Sequence, residues 1–106
     1  MNTIRPNCEV KPGARYAWPL PMRHDGETLS APVAIGMGTT DGTIEVERNR
    51  TYDTSLARTT VAAATAIVTE WRSFVGLLDA AGDAKLIPLE AFYAACAEHP
   101  WKPKKP

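Results

Sequence analysis

The segment from residue 54 to residue 78 constrains the fold more than any other part of the chain. Only Arg58, Glu70 and Arg72 are charged within it. Apolar residues recur there at alternating spacings of three and four, as they do in a helix that buries one face. This apolar seam consists of Val61, Ala64, Val68, Trp71, Val75 and Leu78, and Ile67, Phe74 and Leu77 widen it. The spacing therefore predicts a long amphipathic helix.

The predicted helix is bounded by residues that favour helix ends. Asp53 can cap its start, with Thr54 and Ser55 as alternatives, because their side chains accept hydrogen bonds from the first backbone N–H groups. It should run to about Ala81, where Gly82 can adopt the positive φ that ends many helices. A second, shorter helix is predicted from Pro88 to about Glu98, ahead of the helix-breaking Pro100.

The face of the long helix opposite the seam carries Ala62, Thr65, Ala66 and Thr69 instead of the usual Lys and Glu. A helix so poor in charge needs contact with other protein, and we expect a homodimer. The expected self or partner interface comprises Val61, Ala64, Val68, Trp71 and Val75, with Trp18 and Trp101 as further anchors. In the alternative, the seam faces the chain's own sheet, and the small residues of the opposite face meet the partner.

The clearest strand signal lies between Pro32 and Arg50. Alternating apolar residues flank Asp41-Gly42, a pair that favours a two-residue type I′ hairpin turn. The predicted register sets Met37 opposite Val46. It also places a set of four apolar side chains, Ile35, Met37, Ile44 and Val46, on one face of the hairpin.

Together these elements predict an α+β fold. It comprises a small antiparallel β-hairpin or three-stranded meander packed on a long α-helix, plus a shorter C-terminal helix. The 106 residues suffice for a single domain. Within it we expect a loosely ordered N-terminus (1–13), a β-rich part (14–50), a helical part (53–99) and a basic, proline-rich tail (100–106).

Charge and cysteine content narrow the function classes. Twelve basic and twelve acidic residues balance, which disfavours a dedicated nucleic-acid binder. Arg48, Arg50, Arg58 and Arg72 could still form a basic surface. Cys8 and Cys96 lie far apart without metal-site spacing, so we expect two thiols in a reducing cytoplasm. No apolar run is long enough to span a bilayer, and we expect no membrane partner.

No catalytic, cofactor-binding or metal-binding site is predicted. The chain has no glycine-rich phosphate loop and no zinc-binding helix motif. Cys96 with His99 and Glu45 with Glu47 are the remaining catalytic candidates. Packing and solvation explain these two pairs better.

We recognise no family motif in the sequence. It favours a non-enzymatic small protein that binds another protein, such as a phage- or mobile-element-encoded inhibitor or adaptor acting on a larger assembly. One alternative is a structural or assembly component of a phage particle. Another is a small enzyme or a nucleic-acid-binding accessory protein.

Overall fold

Antiparallel strands account for most of the chain up to residue 55 in the computed structural model, which describes residues 3–6, 8–57 and 59–100. The strands are β1 (Thr3–Ile4), β2 (Arg15–Pro19), β3 (Arg23–His24), β4 (Thr28–Gly38), β5 (Ile44–Ser55) and β6 (Ile87–Pro88). The helices are α1 (Val61–Phe74) and α2 (Leu89–Glu98). The described strands form one curled sheet in the order β1-β5-β4-β2-β6, with β3 paired to β4.

The predicted hairpin or three-stranded meander on a long helix is therefore wrong. A six-stranded sheet curled into a half-barrel forms the body of the protein, and the two helices pack against it. The helix starts later than predicted because β5 pairs with β4 as far as Ser55 opposite Thr28. Asp53 accepts a hydrogen bond from the Ser30 hydroxyl across the sheet (2.9 Å) instead of capping a helix.

Helix α1 begins and ends at different residues from those predicted. Thr60 caps it, and its side-chain oxygen accepts a hydrogen bond from the Ala63 N–H (3.1 Å). The helix ends at Phe74, and Gly76 follows with a φ of 89°. Gly82 also has a positive φ, but it lies in a turn closed by Asp79. Helix α2 agrees with the prediction, with Pro88 directly before its first residue.

The β4–β5 hairpin is present, but its turn differs from the predicted type I′. Thr39 donates its N–H to the Thr43 carbonyl (2.9 Å), which leaves a three-residue loop in which only Gly42 has a positive φ. A type I turn followed by a left-handed glycine gives such a loop. Met37 consequently lies opposite Glu45 and not Val46.

This one-residue shift also overturns the predicted common face. Ile44 and Val46 lie opposite Gly38 and Gly36, so they share the sheet face of those glycines and not the face of Ile35 and Met37. A β-bulge at residue 47 then restores the register that the predicted turn implied, with Ile35 opposite Arg48.

The main core lies between the concave face of the sheet and the two helices. Strand residues Leu29, Ala31, Val33 and Tyr52 and helix residues Ala64, Val68, Trp71, Val75 and Phe92 form one buried cluster. Three rings mark its centre, with Trp71 5.0 Å from Tyr52 and 6.1 Å from Phe92 between ring centroids. Such aromatic contacts add to the stabilisation that burial itself provides.

The opposite side of the sheet is partly covered by the N-terminal segment. Gly38 donates to the Ala14 carbonyl (2.8 Å) and accepts from the Gly13 N–H (2.9 Å). A Cβ at Gly38 would collide with the Lys11 carbonyl and the Val10 side chain, so only glycine permits this close approach. Val10 and Ile44 are buried on this side.

Burial raises the pKa of Tyr52 to about 12, well above its ordinary value of 10.0. Between these two pH values the unfolded chain ionises this phenol while the folded chain does not, so stability is lost as pH rises above 10. We expect this residue alone to lower the free energy of unfolding by about 1 kcal/mol at pH 11. Urea titrations of wild type and Tyr52→Phe at pH 8 and pH 11 measure the effect. The phenylalanine variant should lose less stability, and equal losses would contradict the assignment.

Candidate functional site

The side chains of the predicted seam lie inside the protein. Ala64, Val68 and Trp71 have no exposed surface, and Val75 has 2%. They contact the sheet and α2 of the same chain, which is the arrangement expected under the alternative reading of the seam. Val61 lies at the start of α1 and is 39% exposed. That a second copy binds stays a prediction.

The outer face of α1 is an apolar surface that the rest of the described chain leaves exposed. It consists of Ala62, Ala63, Ala66, Ile67, Thr69, Glu70, Ser73 and Phe74, all of them exposed. Only Glu70 is charged among these eight residues, whereas Arg72 points the other way and is buried. A solvent-facing helix side normally carries several charges.

Two large apolar side chains stand out on this outer face. Ile67 is 38% exposed and Phe74 is 53% exposed, and the two lie seven residues apart on one side of the helix. A shallow apolar depression beside Phe74 is lined by Ala66, Thr69 and Ser73. The sequence pattern had assigned Ile67 and Phe74 to the buried stripe. Their position on the flank of the seam, away from its centre, was the available signal that the sheet would not cover them.

The small residues expected to meet a partner lie partly on this surface. Ala62, Ala66 and Thr69 are exposed. Thr65 is half-buried and donates its hydroxyl hydrogen to the Val61 carbonyl (2.7 Å). The outer face is thus smooth at its middle and has bulky apolar groups on one flank. Another helix could approach such a surface closely.

The remaining predicted anchors lie elsewhere. Trp18 is half-buried on β2 and lines a shallow depression with Cys8, Asp79 and Lys85. Trp101 and the basic tail fall outside the described residues. Cys8 and Cys96 both belong to the described part, and no disulfide joins them.

Arg72 explains how a proline can occupy the central strand β4. Leu20 pairs with Pro32 and donates its N–H to the Pro32 carbonyl (3.0 Å), but proline has no N–H to return to Leu20. The Arg72 guanidinium supplies the missing donor, with one nitrogen 2.7 Å from the Leu20 carbonyl and 3.0 Å from that of Pro32. Burial lowers the pKa of Arg72. This arginine therefore completes the sheet and is not available to a ligand.

Arg48 and Arg50, from the same predicted basic surface, also contact other residues of the chain. Arg48 donates to the Tyr93 hydroxyl (3.2 Å), and the Arg50 guanidinium lies 5.4 Å from the centre of the Tyr93 ring. Arg58 lies outside the described residues. The structure thus does not assemble Arg48, Arg50 and Arg72 into an open basic surface.

The residues of the two candidate catalytic pairs make other contacts in the structure. Glu47 is the bulge residue and forms an exposed ion pair with Arg15 (3.0 Å), whereas Glu45 pairs with Thr3 and Met37. The hydrogen bond from Arg15 to Glu47, followed by their charge attraction, raises the pKa of Arg15. His99 is buried with its ring 4.8 Å from that of Phe74, and Cys96 packs against the main core.

Metal and membrane binding gain no support from the geometry. Within residues 3–6, 8–57 and 59–100, no three His, Cys, Asp or Glu side chains are grouped closely enough to hold a metal ion. Neither helix of the described chain has the length and apolar character that crossing a membrane requires.

Comparison with models of protein families, with curated proteins and with solved structures finds no match to this chain. The outer face of α1 is therefore the candidate functional surface on structural grounds alone.

Proposed function

We propose that this chain is a non-enzymatic binding protein that recognises a partner protein through the outer face of α1. One observation carries the proposal: this face exposes Ile67 and Phe74 while offering a single charge, Glu70. Covering a half-exposed side chain of this size would contribute about 1 kcal/mol. In this view the protein acts in the cytoplasm as an inhibitor or adaptor on a larger assembly.

The surface favours a helix as the bound element. Ala62, Ala66 and Ser73 recur along the helix where a partner backbone could approach closely. A stripe of apolar side chains on the partner would pack beside Phe74, and a Lys or Arg would complement Glu70. An amphipathic helix meets both requirements.

Introducing arginine at Ala66 is expected to abolish partner binding without unfolding the protein. The large charged side chain would occupy the middle of the outer face, where Ala66 is already exposed. A surface change of this kind usually alters stability by no more than about 0.5 kcal/mol. Quantitative capture from a lysate of the source cells, with tagged wild type and Ala66→Arg, measures the effect.

Ala91→Arg is the matched control, because Ala91 is an exposed alanine on α2. Wild type and Ala91→Arg should retain the same stoichiometric partner, and Ala66→Arg should lose it. Equal recovery by the two arginine variants would place the binding surface elsewhere. Absence of any stoichiometric partner of the wild type would contradict the proposal.

A further inference from the structure

Among the described strands, β1 is the only one that borders the outer edge of β5. β1 pairs with β5 only at Glu45 and Ile44. From Arg48 to Ser55, no other described strand lies on that side of β5. This stretch contains no proline, and the bulge at residue 47 lies before it. Uninterrupted edges of this kind are templates for pairing with a further strand.

The proline in β4 reveals which backbone groups of β5 face the open edge. The Pro32 carbonyl points towards β2, where it accepts the Leu20 N–H. Thr51, opposite Pro32, therefore belongs to a non-hydrogen-bonded pair of the β4–β5 ladder. Its own N–H and C=O point away from β4.

The same alternation extends along the strand. Leu56 donates its N–H to the Glu27 carbonyl (2.9 Å). The backbone N–H and C=O groups of the even-numbered residues of β5 after the bulge therefore point towards β4. The odd-numbered positions Asn49, Thr51 and Asp53 consequently direct their N–H and C=O groups outward. Three consecutive sites are thus ready to pair with another strand.

We propose that two copies of this chain pair through β5 in an antiparallel arrangement centred on Thr51. In this register Thr51 faces its own copy, Asn49 faces Asp53, and Arg50 faces Tyr52. Each odd-numbered pair exchanges two backbone hydrogen bonds. Asn–Asp and Arg–Tyr neighbours are favourable, and the Arg50 guanidinium already lies 5.7 Å from the centre of its own Tyr52 ring.

Charge disfavours the registers that are shifted from this one towards Glu45. Centring the pair on Arg50 would set Arg50 against Arg50 and Glu47 against Asp53. Centring it on Asn49 would set Arg48 against Arg50 and Glu45 against Asp53. Directly opposed like charges destabilise a sheet. In the Thr51-centred register, each charged side chain from Arg48 to Asp53 faces an uncharged one, which makes a second copy an acceptable partner. The edge belongs to β5 and not to the outer face of α1, so this inference does not depend on the proposed function.

Sedimentation velocity at tens of micromolar tests the pairing. Wild type should sediment as a dimer and Thr51→Pro as a folded monomer, because the N–H removed at Thr51 makes no bond to β4. Thr51→Val keeps that N–H and should remain dimeric. A monomeric wild type would overturn the proposal, and so would a dimeric, folded Thr51→Pro.

Substitutions at Asn49 test the register without altering the backbone. Asn49→Glu places a carboxylate opposite Asp53 at two symmetry-related sites and should weaken dimerisation about tenfold. Asn49→Lys places an opposite charge there and should dimerise at least as tightly as wild type. Equal dissociation constants for the two variants would overturn the Thr51-centred register. Loss of the dimer in Ala66→Arg would assign the interface to α1 instead.

Discussion

Replacing Trp71 with alanine is expected to lower the free energy of unfolding by about 3–5 kcal/mol. Trp71 has no exposed surface and contacts the rings of Tyr52 and Phe92 at the centre of the main core. The cavity left by its indole ring would border the sheet and both helices, which cannot all close around it. Since a domain of this size is stabilised by only about 5–15 kcal/mol, this loss is a large share of the total.

Urea unfolding followed by circular dichroism measures this loss without relying on tryptophan fluorescence. Phe74→Ala is the control, because it removes an aromatic ring of which 53% is exposed. The control should cost much less than Trp71→Ala. Similar losses in the two variants would show that α1 does not bury the seam in the way described.

Replacing Arg72 with methionine is expected to cost about 2–3 kcal/mol. Methionine preserves much of the apolar stem, but the Leu20 carbonyl then loses the donor that substitutes for the absent N–H of Pro32. The Leu20 carbonyl is partly buried, and without a partner it bears much of its desolvation cost. Removal of the buried positive charge offsets part of this loss, which keeps the expected effect below that of Trp71→Ala.

A second substitution distinguishes this role from simple packing. Pro32→Ala restores an N–H at the position where β4 faces Leu20. In the Arg72→Met background it should therefore recover about 1 kcal/mol, and the two substitutions should be non-additive in urea unfolding. Strict additivity would mean that Arg72 does not replace the missing proline donor.

The local sequence patterns predicted which segments form helices and strands better than they predicted where each one begins and ends. The α2 prediction agrees with the structure because Pro88 and Pro100 mark a short apolar period clearly. The seam of α1 was predicted to meet a second copy, with packing against the chain's own sheet as the alternative, and its central residues lie in the core of the chain itself. Its start was misplaced because Asp53 and Ser55 are as suitable for a helix cap as for the end of a strand. Pairing with β4, a distant segment, decides between the two.

Local patterns could predict the central hairpin and a third strand, but not the six-stranded sheet. β1, β3 and β6 have two residues each, too few to show any alternation. Asp41-Gly42 favours a type I′ turn by composition, whereas side-chain hydrogen bonds from Thr39 and Thr43 to Asp41 stabilise the longer loop. These bonds, led by the one from Thr39, lower the pKa of Asp41 to about 2. The resulting shift in register places Ile44 and Met37 on opposite faces.

The outer face of α1 and the edge of β5 are formed by contacts between distant segments of the chain, which the periodicity of the sequence does not show. The scarcity of charge between residues 54 and 78 led us to expect that α1 contacts other protein, but it does not tell which flank of α1 the sheet leaves uncovered. Ile67 and Phe74 lie on that uncovered flank, at 38% and 53% exposure. The open edge of β5 likewise depends on how short β1 is. Arg72 shows the same limit, since its buried partners lie about forty and fifty residues away in sequence.

Residue-resolved amide hydrogen exchange at low and high protein concentration tests the central claim most directly, namely that β5 extends to Ser55 with one edge open. In dilute protein, the amides of Arg50, Tyr52 and Thr54 should be protected, while those of Asn49, Thr51 and Asp53 exchange rapidly. At high concentration, the second set should become protected as well. Protection of the Thr60 and Val61 amides in dilute protein, as in the interior of a helix that begins at Asp53, would contradict the account.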